Sequence, residues 1–378
     1  MKVVIAIDSL KGSLSSLEAG KAIAEGILKA DSHTEIEISP LADGGEGTVE
    51  ALTTGMGGNI ESIFVTGPLK ENVLCQYGIV KDTAIIEMAS AAGITLLEKK
   101  QRNPLYTTTY GVGEMIKDAI KKGCRRFIIG IGGSATNDGG IGMLQALGYG
   151  FLNKEKKQVS YGAIGLSELE EITTENVVPE LKECRFYIAC DVTNPLCGEK
   201  GSSAVFGPQK GADKQMIADM DKWMERYAKL AKKAVPNADS TYPGTGAAGG
   251  LGFAFLTFTN AVLQSGIDMV LQETNLEEKI KTAHVVVTGE GRLDEQTAMG
   301  KAPIGVARLA KKHGKMVIGF AGSVTKDAVL CNENGMDAYF PILRSVVTLE
   351  EAMEKERAKQ NMTDTAEQVF RLLFAKMN

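Results

Sequence analysis

The chain opens on Lys2-Val3-Val4-Ile5-Ala6-Ile7, an apolar run with no polar alternation, and this run restricts the fold more than any other feature. A strand with one wet face alternates apolar and polar residues. A continuous run suits a strand covered on both faces, as inside a parallel sheet. Asp8 ends the run, and the loop Asp8-Ser9-Leu10-Lys11-Gly12-Ser13 follows. Ser15-x-x-Glu18 then reads as a capping box, opening a helix with Leu17, Gly20, Ile23, Ala24, Ile27 and Leu28 on one face. Thr34–Ile38 is the next strand, which completes a βαβ unit.

The last hundred residues repeat this grammar. His284–Val287 reads as a strand, and Thr288-Gly289-Glu290-Gly291-Arg292-Leu293-Asp294-Glu295 as a polar loop. Pro303 suits the first position of a helix that ends at His313-Gly314. Lys315–Phe320 and a segment near Tyr339 read as strands, and helices cover roughly Thr348–Met377. The middle is mixed: Tyr77–Val80 and Thr83–Met88 flank Lys81-Asp82 as a hairpin, with strands at Arg126–Ile131 and Phe186–Ala189. Helices are expected near Thr109–Lys121 and Asp213–Ala234. The predicted class is therefore α/β. A doubly wound, Rossmann-like parallel-sheet domain is built from 1–66 and 283–378, with a second, mixed α/β domain, 67–282, inserted. A ligand cleft is expected between them.

A chain of 378 residues is long enough for two domains. The net charge of −5 comes with no basic block, which argues against a nucleic-acid surface. The six cysteines lack metal-type spacing, and Asp8 stops the first apolar run too early for a signal peptide, so a cytoplasmic protein is expected. The longest uncharged stretch, between Asp239 and Asp268, is rich in Gly and Thr and reads as a buried helix, not a membrane span.

Leu41-Ala42-Asp43-Gly44-Gly45-Glu46-Gly47-Thr48 poses the functional question. Asp43 and Glu46 have capping-box spacing, yet three glycines crowd them, and glycine in a first turn costs about 1 kcal/mol relative to alanine. Similar glycine-rich loops recur at Asp8–Ser13, Ser134–Gly140, Asp191–Gly201, Thr245–Gly250 and Thr288–Lys301. Gly244-x-Gly246-x-x-Gly249 and Gly130-x-Gly132-x-x-Ala135 match the dinucleotide fingerprint only out of its strand-to-helix context. No Walker A string, kinase catalytic loop or nucleophile elbow occurs, and His33, His284 and His313 are scattered. Acids suit Mg²⁺, lysines and bare amides suit phosphates, and loops at the carboxyl ends of parallel strands converge on a crevice. Together they describe phosphoryl transfer.

The strings DSLKGS (8–13), LADGGEGT (41–48), IGGSATNDGG (131–140), DVTNPLCGEKGSSAVFGPQKG (191–211), GTGAAGGLG (244–252) and TGEGRLDEQTAMGKAP (288–303) resemble the bacterial type I glycerate kinase family, in order and over essentially the whole chain. Leu10 stands where that family often has Phe. The resemblance implies ATP-dependent phosphorylation of D-glycerate with Mg²⁺, in a two-domain α/β enzyme. Both 2-phosphoglycerate and 3-phosphoglycerate are possible products, with 2-phosphoglycerate preferred here. A Mg²⁺-dependent sugar-acid phosphatase and a non-catalytic sensor are the alternatives.

On this reading Asp191 is the general base, with Lys11 and Asp43 also catalytic. Asp191 follows an apolar strand and should face the crevice, with Asn194 in the same loop to orient substrate. Phosphate or substrate contacts are expected from Asp8, Ser9, Gly44, Gly45, Gly133, Ser134, Asn137, Asp138, Lys210, Gly246, Gly249, Arg292 and Lys301. Asp43, Glu46, Glu290 and Asp294 are the expected metal ligands. Partners are limited to the two small molecules, in a monomer or homodimer.

Overall fold

A computed structural model describes residues 1–42 and 44–375. Its strands are β1 (Lys2–Ile5), β2 (Glu35–Ile38), β3 (Asn59–Thr66), β4 (Asn72–Val80), β5 (Thr83–Glu87), β6 (Arg126–Gly130), β7 (Gly150–Leu152), β8 (Glu171–Thr173), β9 (Arg185–Ala189), β10 (Ala261–Gln264), β11 (Val285–Leu293), β12 (Met316–Val324) and β13 (Ala338–Pro341). They sort into two units. One comprises 1–43, 50–56 and 267–378, and the other 44–49 and 57–266. The terminal unit is discontinuous, but its edges differ from 66/67 and 282/283. β3 pairs along its whole length with β4 and so belongs to the inserted unit, while the helices after 266 belong largely to the terminal one.

The terminal unit holds a five-stranded sheet ordered β13-β12-β11-β1-β2, every ladder parallel. In chain order within the unit this is 2-1-3-4-5, one of the two common doubly wound orders. β1 is buried on both faces, as its apolar run requires: Val3, Val4 and Ile5 have no exposed surface. The helix Ser16–Ala30 begins with the expected box: the Glu18 amide donates to Ser15 Oγ, and the Ser15 amide to Glu18. Its buried face is rotated from expectation. Ala19, Ala22, Ile23, Gly26 and Ile27 point inward, whereas Leu28 is exposed. The cause is the partner helix, Lys355–Ala375: a Cβ on Gly26 would lie 2.2 Å from the Thr363 carbonyl, and Thr363 Oγ1 donates to Ala22 O at 3.1 Å. Small residues let the two backbones meet, so they take the inner face.

The supposed polar loop after β11 is strand. β11 runs through Glu290, Arg292 and Leu293, paired with β12 as far as Leu293↔Val324. Glycine makes this possible at one point, since a Cβ on Gly289 (φ +150°) would lie 1.8 Å from the Phe320 carbonyl.

The inserted unit holds a six-stranded sheet ordered β10-β9-β6-β5-β4-β3, in which β5, β6, β9 and β10 are parallel and β3 and β4 antiparallel, with β7 and β8 as a separate pair. The turn Lys81-Asp82 joins β4 and β5 as expected, with Lys81 at φ +55°. Tyr77, Phe127, Phe151, Phe186, Tyr227, Phe253 and Phe255 anchor its core. The stretch expected as a buried helix is Ala247–Phe258, largely buried. All six cysteines are free thiols, four buried and two half-buried. Among the described residues no helix is long and apolar enough to cross a membrane.

Candidate active site

In doubly wound sheets of order 2-1-3-4-5, ligands bind outside the carboxyl ends of the first and third strands, where the winding reverses. Here those strands are β1 and β11. A cleft of about 390 Å³ lies there, in the terminal unit, lined by Asp8, Ser9 and Lys11 from the end of β1 and by Glu290, Arg292, Asp294 and Lys301 from the end of β11 and beyond. Leu10, Ile342, Leu343, Leu349 and Met353 supply an apolar wall.

Each charge is set by local structure. Asp8 is nearly buried, its amide donates to Gly289 O at 2.9 Å, and its Oδ1 accepts the Ser9 amide at 2.6 Å. Lys11 and Gly12 form the tip of a tight turn closed by the Leu10 amide on Leu14 O, so buried Leu10 and Leu14 leave the Lys11 side chain exposed. Glu290 and Asp294 both approach the Thr297 hydroxyl, at 2.5 and 3.5 Å. Asp294 caps the short helix Glu295–Ala298 and pairs with Arg292 at 3.2 Å. Burial pushes its carboxyl up, but the Thr297 amide and the Lys301 and Arg292 charges outweigh this and hold it below the usual carboxylate range. Lys301, exposed, caps the helix Ala302–Lys312, with Pro303 in its first turn as expected. The cleft thus sets three cations against three acids, an arrangement suited to a polyanion carrying a metal ion.

The remaining expected site residues lie in the inserted unit, and most are used differently. Asn137 and Asp138 have no exposed surface and Lys210 has 1%. Lys210 Nζ donates to Ser134 Oγ (2.8 Å) and to the Thr136 carbonyl (2.6 Å). Asp138 accepts the amide and hydroxyl of Thr109 and the Gly140 amide, and Asn137 donates to Ser203 Oγ. Burial pushes the Lys210 amine down to about 7, opposed by the Asp138 charge, and pushes the Asp138 carboxyl up. These groups are enclosed in their own loop, where Asn137 Oδ1 and Thr136 Oγ1 are buried without a protein partner. Ser134 is nearly buried with them, while Gly133 is exposed. Gly246 and Gly249 are also buried: a Cβ on either would lie 2.2 or 2.1 Å from the carbonyl of Pro195 or Thr136. Their role is close backbone packing, not the presentation of amides.

Asp191 follows β9 at its carboxyl end, exposed, and accepts the Gly266 amide at 3.1 Å. Asn194 donates to Lys200 O within its own loop. Gly44 and Gly45 lie near the ends of β6 and β9: a Cβ on Gly44 would fall 2.5 Å from Ala189 Cβ, and one on Gly132 3.5 Å from Gly45 Cα. The helix begins at Thr48, and Glu46 stands exposed ahead of it. Asp43 lies outside the described residues. The acceptor for this helix start is Glu87, at the end of β5, which takes the Val49 amide at 2.8 Å. Sequence reading missed Glu87, although an acid closing an apolar strand was the very signal that selected Asp191.

Among the described residues no group of three or more His, Cys, Asp or Glu could hold a metal, and Asp43, one of the four expected ligands, lies outside them. Glu290 and Asp294 converge on the Thr297 hydroxyl. Two carboxylates are what Mg²⁺ takes when substrate phosphates and water supply its other ligands.

The chain is matched over residues 3–374 by the model of the glycerate kinase family. It is 46% identical to the glycerate 2-kinase of Escherichia coli K12, covering 97% of this chain and 98% of that one. It is also 46% identical to a glycerate kinase of Bacillus subtilis 168, covering 98% and 97%. A crystal structure from Salmonella typhimurium LT2, whose assignment as glycerate kinase 2 is itself provisional, superposes with a TM-score of 0.91 at 44% identity, covering 100% of this chain and 99% of that one. The chain belongs to the glycerate kinase family.

Proposed function

We propose that this kinase transfers the γ-phosphoryl group of ATP to D-glycerate and forms 2-phosphoglycerate. The observation that carries the reading is the cleft at the β1–β11 switch point, where Lys11, Arg292 and Lys301 stand beside Asp8, Glu290 and Asp294. Both reactants are anions, and phosphoryl transfer is catalysed mostly by positioning and charge neutralisation. Lys11 binds phosphate oxygens from its turn and Lys301 from the head of the helix Ala302–Lys312, where unpaired amides add to the attraction. Glu290 and Asp294 are the residues with the chemistry to hold Mg²⁺, which would neutralise the charge on the transferred group. Asp191 accepts the proton of the attacking hydroxyl. The same reading makes the protein a cytoplasmic enzyme of small molecules, monomeric or homodimeric, with no nucleic-acid partner.

The test is a coupled assay with ATP, Mg²⁺ and D-glycerate, with NMR of the product. Turnover to 2-phosphoglycerate is expected. Phosphate release without glycerate would replace the reading by a phosphatase, and 3-phosphoglycerate would correct the regiochemistry. Asp191→Asn should cut kcat far more than it raises KM for either substrate, because a base acts in the transition state. A raised KM for glycerate at unchanged kcat would make Asp191 a binding residue.

A further inference from the structure

Gly44–Gly47 and the first turn of the helix Thr48–Gly55 look like an anion cradle, with amides exposed by glycine at a helix head. The cradle is already filled. Glu87 reaches it from the end of β5, 38 positions further along the chain, and accepts the Val49 amide at 2.8 Å. Burial pushes the Glu87 carboxyl up, opposed by the Val49, Gly47 and Thr48 amides. Of its described neighbours in the chain, Glu46 is exposed ahead of the helix, and the Thr48 hydroxyl donates to Gly45 O at 2.7 Å. The loop has little freedom of its own. Gly44 is wedged between Ala189 and Gly130, whose Cβ would lie 2.3 Å from the Gly44 carbonyl. Burying a carboxylate is costly unless donors meet it, and the Val49 amide does so here.

We propose that Glu87 is a positioning residue of the kinase reaction: its carboxylate occupies the amide cradle at the head of helix Thr48–Gly55 and thereby fixes the glycine loop Gly44–Gly47 across the ends of β6 and β9. The role in catalysis rests on the reading of the chain as a glycerate kinase. One consequence is that this loop takes no substrate phosphate on those amides. It shapes the crevice end of the sheet instead.

The test uses the full chain and the variants Glu87→Ala and Glu87→Gln. Each is assayed for turnover and for thermal midpoint while sodium formate replaces sodium chloride at constant ionic strength. Glu87→Ala should lose about tenfold to a hundredfold in kcat, the scale of a misplaced catalytic loop. Formate should restore part of that loss and raise the midpoint of Glu87→Ala, and should leave the parent unchanged. A folded Glu87→Ala with parental kcat, or one that formate neither reactivates nor stabilises, overturns the proposal. If Glu87→Ala does not fold, amide hydrogen exchange in Glu87→Gln decides. Faster exchange at Gly47–Val49 with a parallel fall in kcat is expected, and unchanged exchange overturns it. The melting and exchange readouts need no turnover, so an inactive parent would count against the kinase reading and not against this one.

Discussion

The two units use one kind of loop for opposite ends. At the carboxyl end of β1, Lys11 stands on a turn whose apolar residues are buried, so the charge faces a cleft. After β6, the loop Ser134–Gly140 is just as rich in glycine and acid, yet its charges point inward, and Lys210 comes from a distant segment to meet them. The difference is where the glycines sit. Around Lys11 the glycine, Gly12 at φ +78°, serves a turn that leaves the side chain outside. Around Asp138, Gly249 and Gly250 let backbones meet, and the charges of the loop are enclosed. A motif of acids and glycines therefore says that backbones approach closely. It does not say which side of the approach the charge takes.

If the contrast is right, the two lysines fail in different ways. The largest effect is expected at Lys11→Met, where kcat/KM should fall roughly 10²- to 10³-fold, as for loss of one preorganised electrostatic contact. Its melting temperature should match the parent's. A melting temperature that falls with activity would erase the contrast.

Lys210→Met should do the reverse. It strands the Ser134 hydroxyl and the Thr136 carbonyl, which costs about 3 kcal/mol in stability. The loss in turnover per folded molecule should stay well below that of Lys11→Met. The pH dependence sharpens this prediction. An amine held near 7 in the folded state and near 10.5 when unfolded is protonated only in the unfolded chain between those values. Its contribution is therefore full above about 10.5 and is lost as pH falls through 7. The parent should gain stability relative to Lys210→Met from pH 7 upward, by at most about 1.4 kcal/mol per unit. Parallel curves in urea melts at pH 7, 8 and 9 would mean that Lys210 stays charged in its burial.

The smallest effect belongs to an exposed charge in neither loop. Lys312 and His313 hold the Glu277 carboxyl down to about 2 at the surface of the terminal unit. Solvent screens such groups, so Glu277→Gln should move the melting temperature by about a degree or less.

What could be read in advance followed from short-range physics. The Ser15–Glu18 box, Pro303 in its helix and the Lys81-Asp82 turn are each settled within a few residues, and each is present. The errors share another cause, tertiary partners. Residues Thr288–Leu293 look like a loop because all but Leu293 are polar or glycine, and only pairing with β12 makes them strand. Leu28 looks like a core residue until Gly26 is found against Thr363. The cleft residues were legible because they must stay exposed near strand ends, where sequence position alone fixes their neighbourhood. Asn137, Asp138 and Lys210 were not, since the segments that bury them come from elsewhere in the chain.

The sheet order carries a consequence for synthesis. β1 lies between β2 and β11, and its helix packs on Lys355–Ala375, so its partners on one edge and one face are the last to be made. At about 5–20 residues per second, the first apolar strand waits roughly fifteen seconds to a minute for β11 to leave the ribosome. Most of the inserted unit, 57–266, is complete before then and can fold as a finished domain. The nascent chain thus carries an unsheltered N-terminal hairpin-less strand, with its helix, through most of its own translation. Holding chaperones have their longest window at the very residues that later build the cleft.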